Sequence, residues 1–300
     1  MNKVKIRRVV GALPLKIQKL LSEILWFFEW ANQSVRVMRL KRCGMKEFNV
    51  HDNLQCADKE CHILASGWSL NHSFELIERS KSFVIGFNFS FLKCPDPDLH
   101  FIENASDKNY LFFRNTIEQY CGLERFGVFN KTRVIFKNLS EFKNSLKIIM
   151  LLYSGRTEFV KDKHYRVFGE DGLSSCLDDM FKQADYLPQM ISSVVSMIFL
   201  ARMLGFKRIV IHGLDFSGPH FYGKDPAAII FDGEAFLVPQ EETTVGAELH
   251  KTAIGGNGIG VPSILNLLKS KLEKEGVELL AAHHLSPSAK ILGSFLDNVE

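Results

Sequence analysis

Apolar residues fall into two patterns along the chain. Residues 15–30, LKIQKLLSEILWFFEW, place them at helical spacing. Ile17, Leu20, Leu21, Ile24, Leu25 and Phe28 share a face widened by Trp26, Phe27 and Trp30, and Lys16, Lys19, Ser22, Glu23 and Glu29 take the other side. From residue 61 onward the pattern changes to short apolar runs. CHILAS (61–66), FVIGF (83–87), LHFIE (99–103), TRVIF (132–136), KIIMLLY (147–153), RIVIHG (208–213) and VELLAA (277–282) are bounded by polar, Gly or Pro positions and predict buried strands. Helices are expected at 107–121, 139–145, 174–183, 190–204 and 262–275. Strands alternating with helices predict an α/β fold, a Rossmann-like, mostly parallel sheet with helices on both faces. The chain divides into a basic amphipathic N-terminal arm, residues 1–58, and an α/β domain, residues 59–300. Residues 215–260 are rich in Gly, Pro, Phe and acidic side chains and break the periodicity. A stretch of that length is expected to act as an active-site lid or binding loop.

Charge sharpens the division. The 300 residues carry 37 basic and 34 acidic side chains. Eleven of the basic and three of the acidic ones lie in residues 1–47, a net +8 that leaves −5 on the other 253. The arm is thus either a helix docked on its own body or an interfacial helix on an anionic membrane, with residues 13–42 making the contact. Nucleic acid is an unfavoured partner because the body is acidic and no recognition motif occurs. At 46% hydrophobic and 24% charged, the composition excludes a disordered or fibrous chain. No run of 18 apolar residues exists, and the run from Val9 to Leu15 holds a proline and no small-residue cleavage site, so neither a membrane span nor a signal peptide is expected. Six cysteines without a CxxC pair read as buried thiols in a reducing compartment. Cys56, Cys61 and His62 lack the second ligand pair that zinc would need. The expected location is cytoplasmic, peripheral on the inner membrane if the arm binds lipid.

Candidate chemistry gathers at strand ends. ILASGWSLNH (63–72) has the form strand, glycine turn, helix, in which Gly67 allows close approach and the helix starting near Ser69 offers N–H groups to an anion. It is neither a GxGxxG nor a P-loop. Asn88 and Asn104 end the next two strands, where a short amide can read a base, a ribose or a phosphate, or cap a helix. PQMISSVVSMIFLARMLGFKRIVIHGLDFSG (188–218) joins a buried helix to a strand that ends at Gly213-Leu214-Asp215, putting the Asp215 carboxylate at the ligand edge of the sheet.

These residues resemble glycosyltransferase family 42, the bacterial sialyltransferases, over about residues 60–297, with a partial likeness to the motility-associated flagellin glycosyltransferases and to a pterin diphosphokinase of similar fold. The matching positions, in order, are Gly67-Trp68-Ser69-Leu70, Asn88, Asn104, Ser192-Ser193, Gly213-Leu214-Asp215-Phe216, His250 and Ser286-Pro287-Ser288. The resemblance implies a GT-A-like variant of the fold and a metal-independent, inverting transfer of a nonulosonic acid from a CMP-sugar to a hydroxyl of a surface or lipid-linked glycan. It requires no cofactor beyond the donor, and a homo-oligomer is compatible with it. Ser66, Gly67, Asn88, Asn104, Ser193, Gly213, Leu214 and Asp215 would surround the donor. His250 would be the general base, and Tyr222 would steady the leaving phosphate. Ser66 stands where the family has Asn, Met190 where it has Arg and Ser217 where it has Tyr, which leaves the donor sugar open. Two other readings remain at this point: an ATP- and Mg²⁺-dependent diphosphokinase, and a non-catalytic nucleotide-binding membrane protein.

Overall fold

The computed structural model describes residues 9–50, 58–94, 96–103, 132–137, 157–221, 230–231, 234–235, 249–255 and 259–298. Twelve strands and seven α-helices occur among them. The strands are β1 (Lys46–Glu47), β2 (Glu60–Leu64), β3 (Ser82–Phe87), β4 (Leu99–Glu103), β5 (Arg133–Lys137), β6 (Thr157–Phe159), β7 (Asp162–His164), β8 (Leu187–Gln189), β9 (Arg208–His212), β10 (Ile230–Phe231), β11 (Glu234–Ala235) and β12 (Glu278–Ala281). The helices are α1 (Leu15–Arg42), α2 (Leu70–Ser73), α3 (Glu170–Phe181), α4 (Ser193–Met203), α5 (Lys251–Ile254), α6 (Val261–Lys274) and α7 (Ala289–Leu292).

Eight strands form one parallel sheet in the order β1-β6-β5-β4-β3-β2-β9-β12. From β2 the chain steps outward through β3, β4 and β5 to β6, then crosses back to lay β9 and β12 on the other side of β2. The strand order therefore reverses between β2 and β9, and in an open α/β sheet such a switch point opens a crevice at the carboxyl ends of the strands.

Strand alternation explains why the runs are apolar throughout. Cys61, Ile63 and Ala65, with Ile209, Ile211, Leu279 and Ala281, face the core shared with Leu177 of α3, Val195 and Ile198 of α4 and Ile264 and Leu268 of α6. The intervening residues face the other way. Leu64 and Val84 pack with Leu70 and Cys94, and Val210 and Leu280 with Ala282 and Phe295. Both faces are buried, so both are mainly apolar, and the buried histidines of β2 and β9 are paired with each other. Every residue of α4 from Val194 to Ala201 is buried, making it the central helix of the larger core.

The sheet and its parallel order agree with expectation. The runs at 61–66, 83–87, 99–103, 132–136, 208–213 and 277–282 are strands displaced by at most two residues, and the helices expected at 174–183, 190–204 and 262–275 are α3, α4 and α6. The strand expected at 147–153 and the helices expected at 107–121 and 139–145 lie outside the described residues. Six short strands, β1, β6, β7, β8, β10 and β11, fall outside the expected runs, the last two as an antiparallel pair within the 215–260 stretch. β1 pairs with β6 at the sheet edge, and Phe48 and Val50 just beyond it enter the main core. Residues grouped with the N-terminal arm thus supply an edge strand of the sheet.

α1 is longer than the periodic segment that predicts it, and it docks through its polar side. Gln18, Gln33 and Leu40 are its buried residues. Gln33 Nε2 donates to Asp162 O at 3.0 Å and Asp162 Oδ1 at 2.8 Å, and Gln189 Nε2 donates to the other carboxylate oxygen at 2.7 Å. Around this buried network lie the ion pairs Lys163–Glu23 at 3.0 Å, Lys19–Asp179 at 3.0 Å, and Arg166–Glu29. Trp26, expected on the apolar face, turns inward and packs edge-on against Tyr186, their ring centroids 5.3 Å apart. Among the described residues, no helix is long and apolar enough to cross a membrane.

Candidate functional site

A cavity of about 130 Å³ lies at the switch point. Ser66 and Gly67 reach it from the end of β2, Gly213 to Ser217 from the end of β9, Ser192 and Val194 from the start of α4, and His220 and His250 from the segments after residue 217. Ala65 N–H donates to His212 O at 2.9 Å and Gly67 N–H to Gly213 O at 2.8 Å, continuing the β2–β9 pairing past both strands. Glycine is required on each side of this seam. A Cβ on Gly67 would stand 2.4 Å from Asp215 Oδ2 and 2.6 Å from Gly213 O. Gly213 has φ +65°, a conformation that side chains other than glycine adopt at a cost.

Asp215 ties the two strand ends to the chain's closing segment. Its Oδ2 accepts the Ser69 backbone N–H at 2.7 Å, and its Oδ1 accepts the Ser69 hydroxyl at 2.5 Å. Ser286 Oγ lies 3.0 Å from Oδ1 and 3.1 Å from Leu214 O. Burial raises the Asp215 carboxyl above the usual range, and the Ser69 and Ser286 hydrogen bonds and nearby His250 only partly offset this. The Ser69 N–H, expected to meet an anionic ligand, is thus occupied by Asp215, and α2 is a single turn.

His250 is carried by a backbone device. Phe216 adopts φ +59°, and its carbonyl accepts the His250 N–H at 2.8 Å, while Ser217 bridges Leu249 in antiparallel fashion. A non-glycine residue held at positive φ stores strain, which persists only where surrounding bonds enforce it. The His250 and His220 rings stand 5.8 Å apart. His220 Nδ1 lies 3.2 Å from Ser66 O, so that nitrogen carries the proton. Burial lowers the pKa of His220, and His250 beside it lowers it further.

Beside the cavity, the carboxyl ends of β4 and β5 hold a polar trio of buried Lys137 and half-buried Glu103 and Ser193. Lys137 Nζ is 3.2 Å from Glu103 Oε1 and donates to Ser193 Oγ at 3.1 Å, and Ser193 in turn donates to Glu103. Burial alone would raise Glu103, but the Lys137 ammonium and the Ser193 hydroxyl outweigh it and hold the carboxyl below its usual range. Beneath the cavity, on the other sheet face, His62 Nδ1 and His212 Nε2 are 2.8 Å apart, and His212 Nδ1 meets Ser73 Oγ at 3.0 Å. Burial lowers His62 to about 4 and places His212 well below its ordinary value.

Of the residues expected to form the site, Ser66, Gly67, Gly213, Leu214, Asp215 and His250 line one cavity. Ser193 belongs to the adjoining trio, and its neighbour Ser192 lines the cavity instead. The Asn88 side chain, Asn104 and Tyr222 lie outside the described residues. His220 was assigned no role from sequence; its antiparallel bridge to Gly67 brings it to the wall, and no local motif announces it. Among the described residues, no group of three or more His, Cys, Asp or Glu is placed to hold a metal ion. Burial pushes the Cys94 and Cys176 thiols up to about 11 and about 12, which suits inert core thiols.

The fold and cavity together define a Rossmann-like α/β protein with a ligand crevice at its topological switch point. No protein-family model matches the chain, and no curated protein matches it. Solved structures similar to it include the sialyltransferase CstII from Campylobacter jejuni in complex with CMP, at 18% identity, covering 79% of this chain and 85% of that one, with a TM-score of 0.43. The monofunctional α-2,3-sialyltransferase Cst-I from Campylobacter jejuni matches at 15% identity over 80% and 81% of the two chains, also at 0.43. CST-II with a trisaccharide acceptor and CMP matches at 14% identity over 79% and 86%, at 0.42. Values this low carry no functional assignment.

Proposed function

We propose that the chain is an inverting glycosyltransferase that moves a nonulosonic acid from a CMP-sugar to a glycan hydroxyl, without a metal ion. One observation carries the reading. Described residues that resemble the sialyltransferase pattern, from Gly67 through Ser192, Gly213 to Phe216 and His250, line the crevice between β2 and β9, Ser286 is bonded to Asp215 there, and His250 is held by a strained, bonded backbone turn. The start of α4 faces the same cavity with no side-chain cap on Ser192 and no acidic residue in its first turn. Its dipole and free N–H groups suit a phosphate or carboxylate. The cavity is smaller than the roughly 300–1,000 Å³ of a complete small-molecule site, so it accounts for part of a nucleotide sugar.

In this reading the His250 imidazole removes the proton from the acceptor hydroxyl as its oxygen attacks the anomeric carbon. The bond from that carbon to the phosphate oxygen breaks on the opposite face, and CMP departs with the electron pair. Ser66, Gly67, Ser193, Gly213 and Leu214, with Asn88 and Asn104, frame the donor. Asp215 fixes the frame by holding Ser69 and Ser286, and Tyr222 steadies the leaving phosphate. A thermal-shift series with CMP, CDP, UDP, GDP and ATP tests the nucleotide, since a ligand at 100 times its Kd stabilises by about 2.7 kcal/mol. CMP is expected to be selected. CMP release from a CMP-nonulosonic acid should then persist in EDTA and be lost in His250→Ala. Selection of ATP, or full turnover by His250→Ala, would overturn the reading.

A further inference from the structure

α1 presents an inverted amphipathic helix. Gln18 and Gln33, 8% and 2% exposed, point into the protein with Leu40, whereas Leu20, Phe27, Phe28 and Met38 are 60%, 60%, 61% and 53% exposed. At 100° per residue these four, with Ile17, Ile24 and Val35, form one stripe roughly opposite the buried side. From Ile17 to Met38 the stripe runs along about 32 Å of the 28-residue helix. Large contiguous apolar patches mark contact surfaces.

The charges around the stripe indicate what it meets. Both carboxylates of α1, Glu23 and Glu29, are consumed by Lys163 and Arg166 on the docked side. Lys16 at one end of the stripe and Arg39 and Arg42 at the other are exposed and make no ion pair among the described residues. A second copy would set cations against cations in either direction: parallel packing pairs like ends, and antiparallel packing brings Lys16 to Arg39 and Arg42. An anionic surface satisfies both ends at once. Phe27 and Trp30, whose rings lie 5.9 Å apart, add the aromatic bodies that settle at a headgroup boundary.

We propose that the outward face of α1 binds the surface of an anionic lipid bilayer, lying in its plane while the polar face holds the catalytic body. The docked helix and the interfacial helix are thus one state of the same element. The test is flotation of the full-length protein with vesicles of phosphatidylcholine containing about 30% phosphatidylglycerol, against phosphatidylcholine alone. Binding is expected to the anionic vesicles only, and to fall at least about 10-fold in about 0.5 M salt and in Arg39→Glu/Arg42→Glu. Phe27→Ser/Phe28→Ser should lower it at least about 10-fold with an unchanged melting temperature, because both side chains are exposed. Failure to float with anionic vesicles overturns the proposal. So does a fall in melting temperature in the Phe variant, which would make the stripe internal packing. A dimer in sedimentation equilibrium that Phe27→Ser/Phe28→Ser dissolves would assign the stripe to a second copy.

Discussion

Asp215 is the residue at which positioning and ligand contact are most sharply separable. Replacing it with alanine removes the acceptor of the Ser69 backbone N–H and of the Ser69 hydroxyl, both buried. Ser286 keeps alternatives, Leu214 O at 3.1 Å and Ser288 Oγ at 2.8 Å. Two stranded donors at about 1–3 kcal/mol each, less the relief of no longer burying a carboxylate, predict a loss of about 3 kcal/mol for Asp215→Ala. Asp215→Asn has the same shape. Its carbonyl can keep the Ser69 N–H, and its amide can donate to the Ser69 and Ser286 hydroxyls once they turn to accept. Only the Ser69 hydroxyl hydrogen then loses its acceptor, the backbone N–H keeps its own, and the expected loss is about 1–2 kcal/mol. Urea denaturation at constant m measures both, with CMP titration of each variant alongside. Equal losses in the two variants would refute the clamp. An Asn variant of native stability that no longer binds CMP would show instead that the carboxylate itself contacts the ligand.

Two further outcomes rest on polar side chains and a third on the glycine seam. His62 and His212 are held neutral when folded but protonate near pH 6.5 when unfolded, so the unfolded state binds more protons below that pH and stability falls as pH drops. At pH 5.5 each should cost about 1.4 kcal/mol relative to pH 7.5, and a urea series in which the native chain falls no faster than His62→Gln/His212→Gln would refute this. Lys137→Met should cost about 1–3 kcal/mol in the same assay by taking the buried ammonium away from half-buried Glu103, and Lys137→Met/Glu103→Gln should recover most of it; no recovery would mean the cost is not electrostatic. Gly67→Ala forces a Cβ to within 2.6 Å of a backbone carbonyl, so it should cost about 1–3 kcal/mol and weaken CMP binding at least about 10-fold by isothermal titration, whereas native affinity would mean the seam tolerates separation.

The parallel sheet is legible because strands buried on both faces are apolar at nearly every position, and α4 and β9 stand out for the same reason. β1, β6, β7 and β8 were not legible. Lys46–Glu47, Thr157–Phe159, Asp162–His164 and Leu187–Gln189 are two or three residues long, too short for an apolar period, although Phe159 and Leu187 are buried. At the site, glycine at a strand end signals close approach, so Gly67 and Gly213 could be placed from sequence. The ligand-edge carboxylate of Asp215 could be placed too, but not its partners, because Ser69 is 146 positions away and the choice depends on how the turns meet. His220 is not legible in the sequence because its place on the wall depends on an antiparallel bridge to Gly67 rather than on any spacing.

α1 shows most clearly where periodicity stops being informative. Spacing establishes that a helix has an apolar and a polar face; it does not say which one the body takes. Here the choice was made by residues over a hundred positions downstream. Asp162 is buried beside the sheet edge and needs donors, and Gln33 and Gln189 supply them. Lys163 and Arg166 then align with Glu23 and Glu29. The Lys19–Asp179 pair is exposed, and pairs of that kind contribute little on their own, so the buried Gln33–Asp162–Gln189 network is the main anchor. A helix fastened this way has no need of its apolar side for folding. That side is therefore available for a surface outside the chain, at no cost to the sheet that carries the crevice.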